Sequence, residues 1–374
     1  MRATLVWGLL VVPFAGTPLG TYRSAAIMST DLQRRKEDHL DLCATDAVAF
    51  RERTTLFEDV RLVHQSLPEL SADAVDTSVH LLGKRLRAPI VLASMTGGTP
   101  RAAELNRELA GLAERRGYAF GLGSQRAMMR EPGTAWTYQL REVAPTALVF
   151  GNLGVVQARD ASSAALTKLL ADVGADALCL HMNPAQELVQ PGGDRDFRGG
   201  LDTFARLARE LPVPVIAKET GAGVSAELAR KLFAAGVRHV DVSGAGGTSW
   251  VGVETLRATG AAKAVGEALW DWGIPTAASV GLVAREGLTV IATGGMKTGL
   301  DVAKALALGA SAGGIARGCL QALTQGGREG AEEFLDGIEQ TLRAVMVLVG
   351  AKDLAALRTA PRLVTGELAQ WLAR

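Results

Sequence analysis

From residue 88 onward, short apolar runs alternate with glycine-bearing polar turns and with stretches whose apolar residues recur three or four positions apart. Runs of the first kind read as strands and stretches of the second as amphipathic helices. Eight strands are predicted: APIVLASMTGG (88–98), YAFGLGSQR (118–126), ALVFGNLG (147–154), ALCLHMN (177–183), VPVIAKETG (213–221), HVDVSGAGGTSW (239–250), LTVIATGGMKTG (288–299) and AGGIARG (312–318). AELNRELAGLAERRG, SSAALTKLLADVG, LDTFARLARELP, SAELARKLFAAG and DVAKALALGA are predicted as helices between them, and several end in the Gly that a helix C-terminus prefers. IPTAASV (274–280) is also strand-like. A ninth strand would break the count, and Pro275 can instead open a helix as a first-turn residue. Parallel strands need helical crossovers and eight of them close a sheet, so the fold class is α/β: a (β/α)8 TIM barrel over residues 88–374, with residues 28–87 as an N-terminal extension over its mouth.

This reading gives the polar strand ends a common location. Ser94, Ser124, Asn152, His181, Lys218, Ser243, Gly294 and Arg317 all fall at or just past a strand C-terminus, the face on which barrels carry their active sites. Any one of them would be explained by loops being wet; eight together point to a site.

Composition narrows the choice. Hydrophobic residues make up 48% of the 374, glycines number 43 and aromatics only 5%, which suits one large barrel of buried aliphatic strands better than two domains. Lys plus Arg total 40 against 39 Asp plus Glu, so no global field favours nucleic acid or an anionic membrane, and any anion site must be local. Cys43, Cys179 and Cys319 are widely spaced with no CxxC, which argues against a disulfide framework or structural zinc and fits a reducing compartment, the cytoplasm. Residues 1–27 stand apart: MRATLVWGLLVVPFAG has Arg2 ahead of an apolar run broken by Pro13, too short to span a bilayer. It is either a weak secretory signal or an over-extended start, with the working protein beginning at Met28; the second is the expectation.

The chemistry-bearing motifs follow. TGGMKTG (293–299) and GGIARG (313–318) are glycine-rich turns opening helices after the seventh and eighth strands, where backbone N–H groups and the helix dipole can surround a phosphate. SGAGGTSW (243–250) places the Ser243 and Thr248 hydroxyls among glycines that let a flat ligand approach the backbone. Lys218 ends an otherwise apolar strand, so it should emerge at the mouth or face an electron-rich group, with pairing to Glu219 as the plain alternative. A wide planar cofactor with a phosphate tail explains this distribution, and flavin mononucleotide (FMN) fits it. Upstream, QRRKEDHLDLC sets Arg34, Arg35 and Lys36 before His39; such a run is commonly a solvated helix face, but folded over the mouth it could clamp a diphosphate, with Arg126 of GLGSQR as a further cation. LCLHMNPAQELVQ (178–190) delivers His181, Asn183, Gln186 and Glu187 within seven positions.

Taken in order, RRKEDH, SMTGG, GLGSQR, NLG, HMNPAQE, VIAKETG, SGAGGTSW, TGGMKTG and ARG closely resemble type 2 isopentenyl-diphosphate isomerase, the FMN-dependent form, from about residue 33 to the C-terminus. Residues 1–27 have no counterpart in that family. The resemblance implies a 1,3-allylic proton shift from isopentenyl to dimethylallyl diphosphate on reduced FMN, with Mg²⁺, with NADPH as reductant and without net redox change. It implies a homo-oligomer, tetramer or octamer. It assigns the diphosphate of the substrate to Arg35, Lys36 and Arg126 with His39 nearby, the substrate side to Gln186 and the metal to Glu187; Asn183 is read as a further substrate contact, Gln186 as a catalytic residue that either moves a proton or positions the substrate, with positioning expected, and His181 as catalytic or equally a hydrogen-bonded pocket histidine. Flavin contacts fall on Ser94, Met95, Thr96, Ser124, Asn152, Lys218, Ser243, Thr248, Gly294, Gly295, Met296, Ala316 and Arg317. One carboxylate beside diphosphate oxygens suits Mg²⁺, which takes few protein ligands when phosphates are present.

Two other readings compete. An FMN-dependent 2-hydroxy-acid oxidase or dehydrogenase would need a catalytic His beside an Arg pair, and the SGAGGTSW loop offers no His. A non-catalytic barrel binding a phosphorylated ligand is the second.

Overall fold

The computed structural model describes residues 34–373, so the expectation for residues 1–27 lies outside the described residues. All eight predicted strands form, as β1 (Ile90–Leu92), β2 (Ala119–Gly121), β3 (Leu148–Gly154), β4 (Ala177–Met182), β5 (Val215–Glu219), β6 (His239–Asp241), β7 (Thr289–Thr293) and β8 (Ala312–Ile315). They close into one parallel barrel in chain order, β8 pairing back onto β1.

Strand parity sorts the side chains into two cores. Val91, Ala119, Leu148, Phe150, Ala177, Cys179, Ile216, Ile291 and Ala312 fill the interior. Their neighbours Ile90, Leu92, Phe120, Val149, Leu178, Leu180, Ala217, Val240 and Val290 face the surrounding helices. The hairpin Val79–Leu81 with Lys84–Leu86 plugs the base, inserting Leu81 and Leu86 into the inner core.

The helices start and stop where the chain provides caps. Thr99 accepts from the Ala102 N–H ahead of Pro100–Arg116, which ends on Gly117 at φ 65°. Thr298 and Asp301 form a capping box on Gly299–Ala307. IPTAASV is helical, as expected, although Pro275 is the N-cap of Thr276–Ala284 rather than a residue of its first turn. The segment before the barrel divides in two. Residues 34–43 form a helix at the mouth, and the chain after it is tied there by Ser249 N–H to Val48 O at 2.8 Å and Phe50 N–H to Gly247 O at 3.2 Å. Beyond it, Val60–Leu62 pairs antiparallel with Arg362–Val364 at the side, and the hairpin runs on to the base. Among the described residues, no helix is long and apolar enough to cross a membrane.

Candidate active site

The inward parity of the strands carries past the apolar layers and decides which polar residues meet. Phe150 leads to Asn152, Cys179 to His181, Ile216 to Lys218 and Ile291 to Thr293, each two positions on and facing the same way. Register aligns His181 with Lys218 and Lys218 with Asp241 on adjacent strands. These side chains form the polar C-terminal layer of the barrel. Above it opens a cavity of about 680 Å³, within the size range of cofactor sites. The residues given a site role from the sequence, from Arg35, Lys36 and His39 through Ser94 and Gln186 to Ala316 and Arg317, line this one cavity, whereas Arg34 of the same basic run is exposed outside it.

Backbone forms much of one end. The loops after β6 and β7 touch main chain to main chain: a Cβ on Gly247 would strike the Gly295 amide, and one on Gly294, at φ 106°, would strike the Gly244 backbone. Two buried donors there, Thr293 Oγ1 and Arg317 Nη1, have no hydrogen-bond partner among the described residues. Unpaired buried polar groups are costly and call for a ligand. A phosphate at Arg317 beside the GlyGly turn and a flat ring against the glycine backbone would meet both needs, so these residues fit FMN.

The other end is cationic. Helix 34–43 spans the two: Arg35 lies near Arg126 and Glu254, and Cys43, ~12 Å along the axis, lies near Arg317. Lys36 donates to the Gly97 carbonyl and to Tyr138 Oη at 3.1 Å. Burial, seconded by the Arg35 charge, brings the Lys36 ammonium down to about 7. Arg126 approaches Asp194 at 3.6 Å, and its buried Nε has no partner among the described residues.

Between the ends stands the short helix Pro184–Val189 after β4. Glu187 Oε1 accepts from Asn183 Nδ2 at 3.1 Å, and its Oε2 accepts from Gln190 Nε2 at 3.3 Å and the Asp194 N–H at 2.7 Å. These donors aim the carboxylate and leave it lone pairs for a hard cation. Among the described residues no group of three or more His, Cys, Asp or Glu could hold a metal alone, so Glu187 fits Mg²⁺ only with oxygens from a ligand. Gln186 Nε2 donates to Glu254 Oε1 at 3.3 Å, and the same oxygen meets His39 Nε2 at 2.9 Å. Burial works to raise the Glu254 carboxyl, but His39, Arg257 and Gln186 outweigh it and hold it below its ordinary value. His181 Nδ1 lies 2.7 Å from Asn152 Oδ1. That oxygen can only accept, so Nδ1 carries the proton and Nε2 is bare. Burial first, then the Lys218 and Arg126 cations, push His181 down to about 4, which keeps the ring neutral.

Several contributors were not singled out from the sequence. Lys218 pairs with Asp241 at 2.7 Å, not with Glu219, whose carboxylate instead accepts the N–H groups of Thr220, Gly221 and Ala222. Thr293 sat inside a quoted motif, and its inward parity was a signal that could have found it. Asp241 likewise stood as a charge between valines of a quoted strand, whereas Glu254 and Tyr138 are ordinary residues in local sequence, and no pattern marks them.

Comparison with known proteins agrees with this geometry. The FMN-dependent dehydrogenase family matches residues 28–183 and 193–364. The interval between, 184–192, carries Gln186 and Glu187. Isopentenyl-diphosphate delta-isomerase of Methanothermobacter thermautotrophicus is 44% identical over 340 residues, 90% of this chain and 95% of its own. The protein of the same name from Pyrococcus abyssi is 44% identical over 348 residues, 90% of this chain and 94% of its own. A solved mandelate oxidase variant with a C4a-hydroxy-FMN adduct superposes with a TM-score of 0.61 at 19% identity, over 90% of this chain and 99% of that one, a likeness of fold alone. Similar to these isomerases along nine-tenths of its length, the chain belongs to the type 2, FMN-dependent family of isopentenyl-diphosphate delta-isomerases.

Proposed function

We propose that the protein converts isopentenyl diphosphate to dimethylallyl diphosphate, with reduced FMN, Mg²⁺ at Glu187 and NADPH as the source of the reduced flavin. The reaction places a proton on the terminal alkene carbon and removes one two carbons away, leaving the oxidation level unchanged. Reduced FMN, when bound, supplies an electron-rich, titratable face beside the alkene. The rest falls to the chain. Arg35, Lys36 and Arg126 hold the diphosphate, as a cluster of half-buried cations at the cavity wall suits an anion of that charge. Asn183 and Gln190 hold the Glu187 carboxylate in place, where it would supply one oxygen to Mg²⁺ and the diphosphate would supply others. Gln186 meets the substrate; a neutral amide is a poor proton carrier, so it positions the alkene and is itself fixed through Glu254 and His39. His181, neutral and with Nε2 bare, accepts a hydrogen bond at the cavity wall. Trp250, at a ring-centroid distance of 5.2 Å from His39, helps to keep water from the reacting carbons.

One observation carries this reading. The segment that supplies Gln186 and Glu187 stands between a glycine-walled end, where Arg317 Nη1 makes no hydrogen bond among the described residues and meets only Asp46 at 3.8 Å, and a cluster of half-buried cations, within a single cavity. The family likeness further supports a cytoplasmic homo-oligomer, tetramer or octamer. The test is anaerobic: purified protein with FMN and NADPH, with and without Mg²⁺, given isopentenyl diphosphate. Formation of dimethylallyl diphosphate only when flavin is reduced and Mg²⁺ present is expected. Reduced holoenzyme inert with Mg²⁺ would overturn the proposal.

A further inference from the structure

Lys218 lines the cavity, whereas Asp241, beside it on the neighbouring strand, is not part of the cavity wall. Their side chains are 7% and 8% exposed and meet at 2.7 Å, Lys218 Nζ to Asp241 Oδ2. Oδ1 of Asp241 is buried with no hydrogen-bond partner among the described residues. Register places the two opposite one another on β5 and β6, with His181 on the far side of Lys218 on β4. Going around the barrel, the polar layer therefore reads neutral imidazole, cation, anion. A buried pair of this kind seldom adds stability over an apolar equivalent, so its presence under a cofactor pocket calls for another reason.

We propose that Asp241 is a positioning residue that holds the Lys218 ammonium against the cavity floor and offsets its field, and thereby sets the balance between oxidised and reduced FMN bound above it. In dry surroundings a lone cation under the ring would favour the electron-rich reduced form strongly. Paired with Asp241, Lys218 still offers its remaining N–H donors upward but with much of its charge cancelled. The bound flavin keeps a lower potential than an unpaired lysine would impose.

The inference rests on FMN occupying the cavity. The test uses the FMN-loaded protein and measures the midpoint potential by equilibrium with redox dyes, together with FMN affinity in each oxidation state. In Asp241→Asn, reduced FMN should bind about tenfold more tightly relative to oxidised FMN, an upward shift of about 30 mV for a two-electron couple. In a Lys218→Met background the same change should shift the potential far less, because no ammonium is left for Asp241 to hold against the cavity floor. An unchanged potential in Asp241→Asn, or an equal shift in both backgrounds, would overturn the proposal. If Asp241→Asn does not fold, Asp241→Ser, which also removes the carboxylate, takes its place in both backgrounds: an upward shift confined to the protein that keeps Lys218 supports the proposal, and no shift there overturns it. Wild-type protein that takes up no FMN would overturn this inference and the functional reading together. Wild-type holoenzyme with variants of unaltered potential would overturn this inference alone.

Discussion

Gln186 and Glu254 are 68 residues apart in the chain and joined by a hydrogen bond, Nε2 to Oε1 at 3.3 Å. The bond ties the helix after β4 to the helix Trp250–Arg257 after β6, and Glu254, with its side chain fully buried, gathers His39 and Arg257 onto the same carboxylate. Glu254 touches none of the cavity itself. Its effect on chemistry must pass through Gln186 and His39.

Glu254→Gln keeps the shape and removes the charge that orients both partners. A displacement near 1 Å at a reacting group can cost about 10²-fold in rate, and kcat is expected to fall by about that factor with FMN affinity unchanged. Steady-state kinetics beside flavin titration measure both. A loss confined to FMN affinity would sink the role given to Glu254.

Glu187→Ala removes the proposed metal ligand. Mg²⁺-dependent turnover should fall by at least about tenfold, in the range typical of metal-site losses, while FMN binds as before. Mg²⁺ titration of the isomerase rate decides it; an unaltered Mg²⁺ requirement would show that Glu187 is not the ligand.

Lys36 gives a pH dependence whose sign can be worked out. Its ammonium is brought down to about 7, well below the ordinary lysine value, chiefly by burial. Above pH 7 the free protein must take up a proton at Lys36 to bind a diphosphate, so KM should rise with pH, by up to about tenfold per unit. Folding stability moves the other way: between pH 7 and the ordinary lysine range the unfolded chain binds the extra proton, so stability increases with pH. Lys36→Arg, always charged, should flatten the KM profile between pH 7 and 9. Parallel profiles in the two proteins would contradict the assignment.

His181 is pushed down to about 4, mainly by burial. As pH falls from about 6.5 to about 4, the unfolded chain gains a proton that the native ring does not, and stability is lost across that window. His181→Gln should lose less stability than wild type between pH 7 and 5, read from urea midpoints. Equal losses would place the acid sensitivity elsewhere.

Thr293 Oγ1 is buried, faces the cavity and has no partner among the described residues. Thr293→Val preserves the side-chain outline and should weaken FMN binding by about 1 kcal/mol, roughly fivefold, with the melting temperature of the FMN-free protein unchanged or raised. Unaltered FMN affinity would mean the hydroxyl meets no part of the cofactor.

The barrel was legible because its cause is local. An apolar run of strand length, a glycine turn and a helix-period stretch can be recognised one unit at a time, and eight such units have few ways to close. The polar residues at the strand ends were legible for the same reason, since alternation along a strand decides which side chains enter the barrel. Alternation also shows why Lys218 and Glu219 could not pair across the mouth: they are successive residues of β5, and they point to opposite faces. By itself, then, the sequence determined the architecture, the polar face and the residue types gathered there. Only the tertiary structure decided partnership. Lys218 meets Asp241 because β6 lies beside β5 in a particular register; Gln186 meets Glu254 because two loops of different strands converge; and helix 34–43 reaches the mouth because the chain after it is bonded to the loop beyond β6. A hydrogen bond or ion pair acts over a few ångströms of space, whatever the distance along the chain. Which groups come that close is settled by the closure of the sheet and the packing of the helices around it.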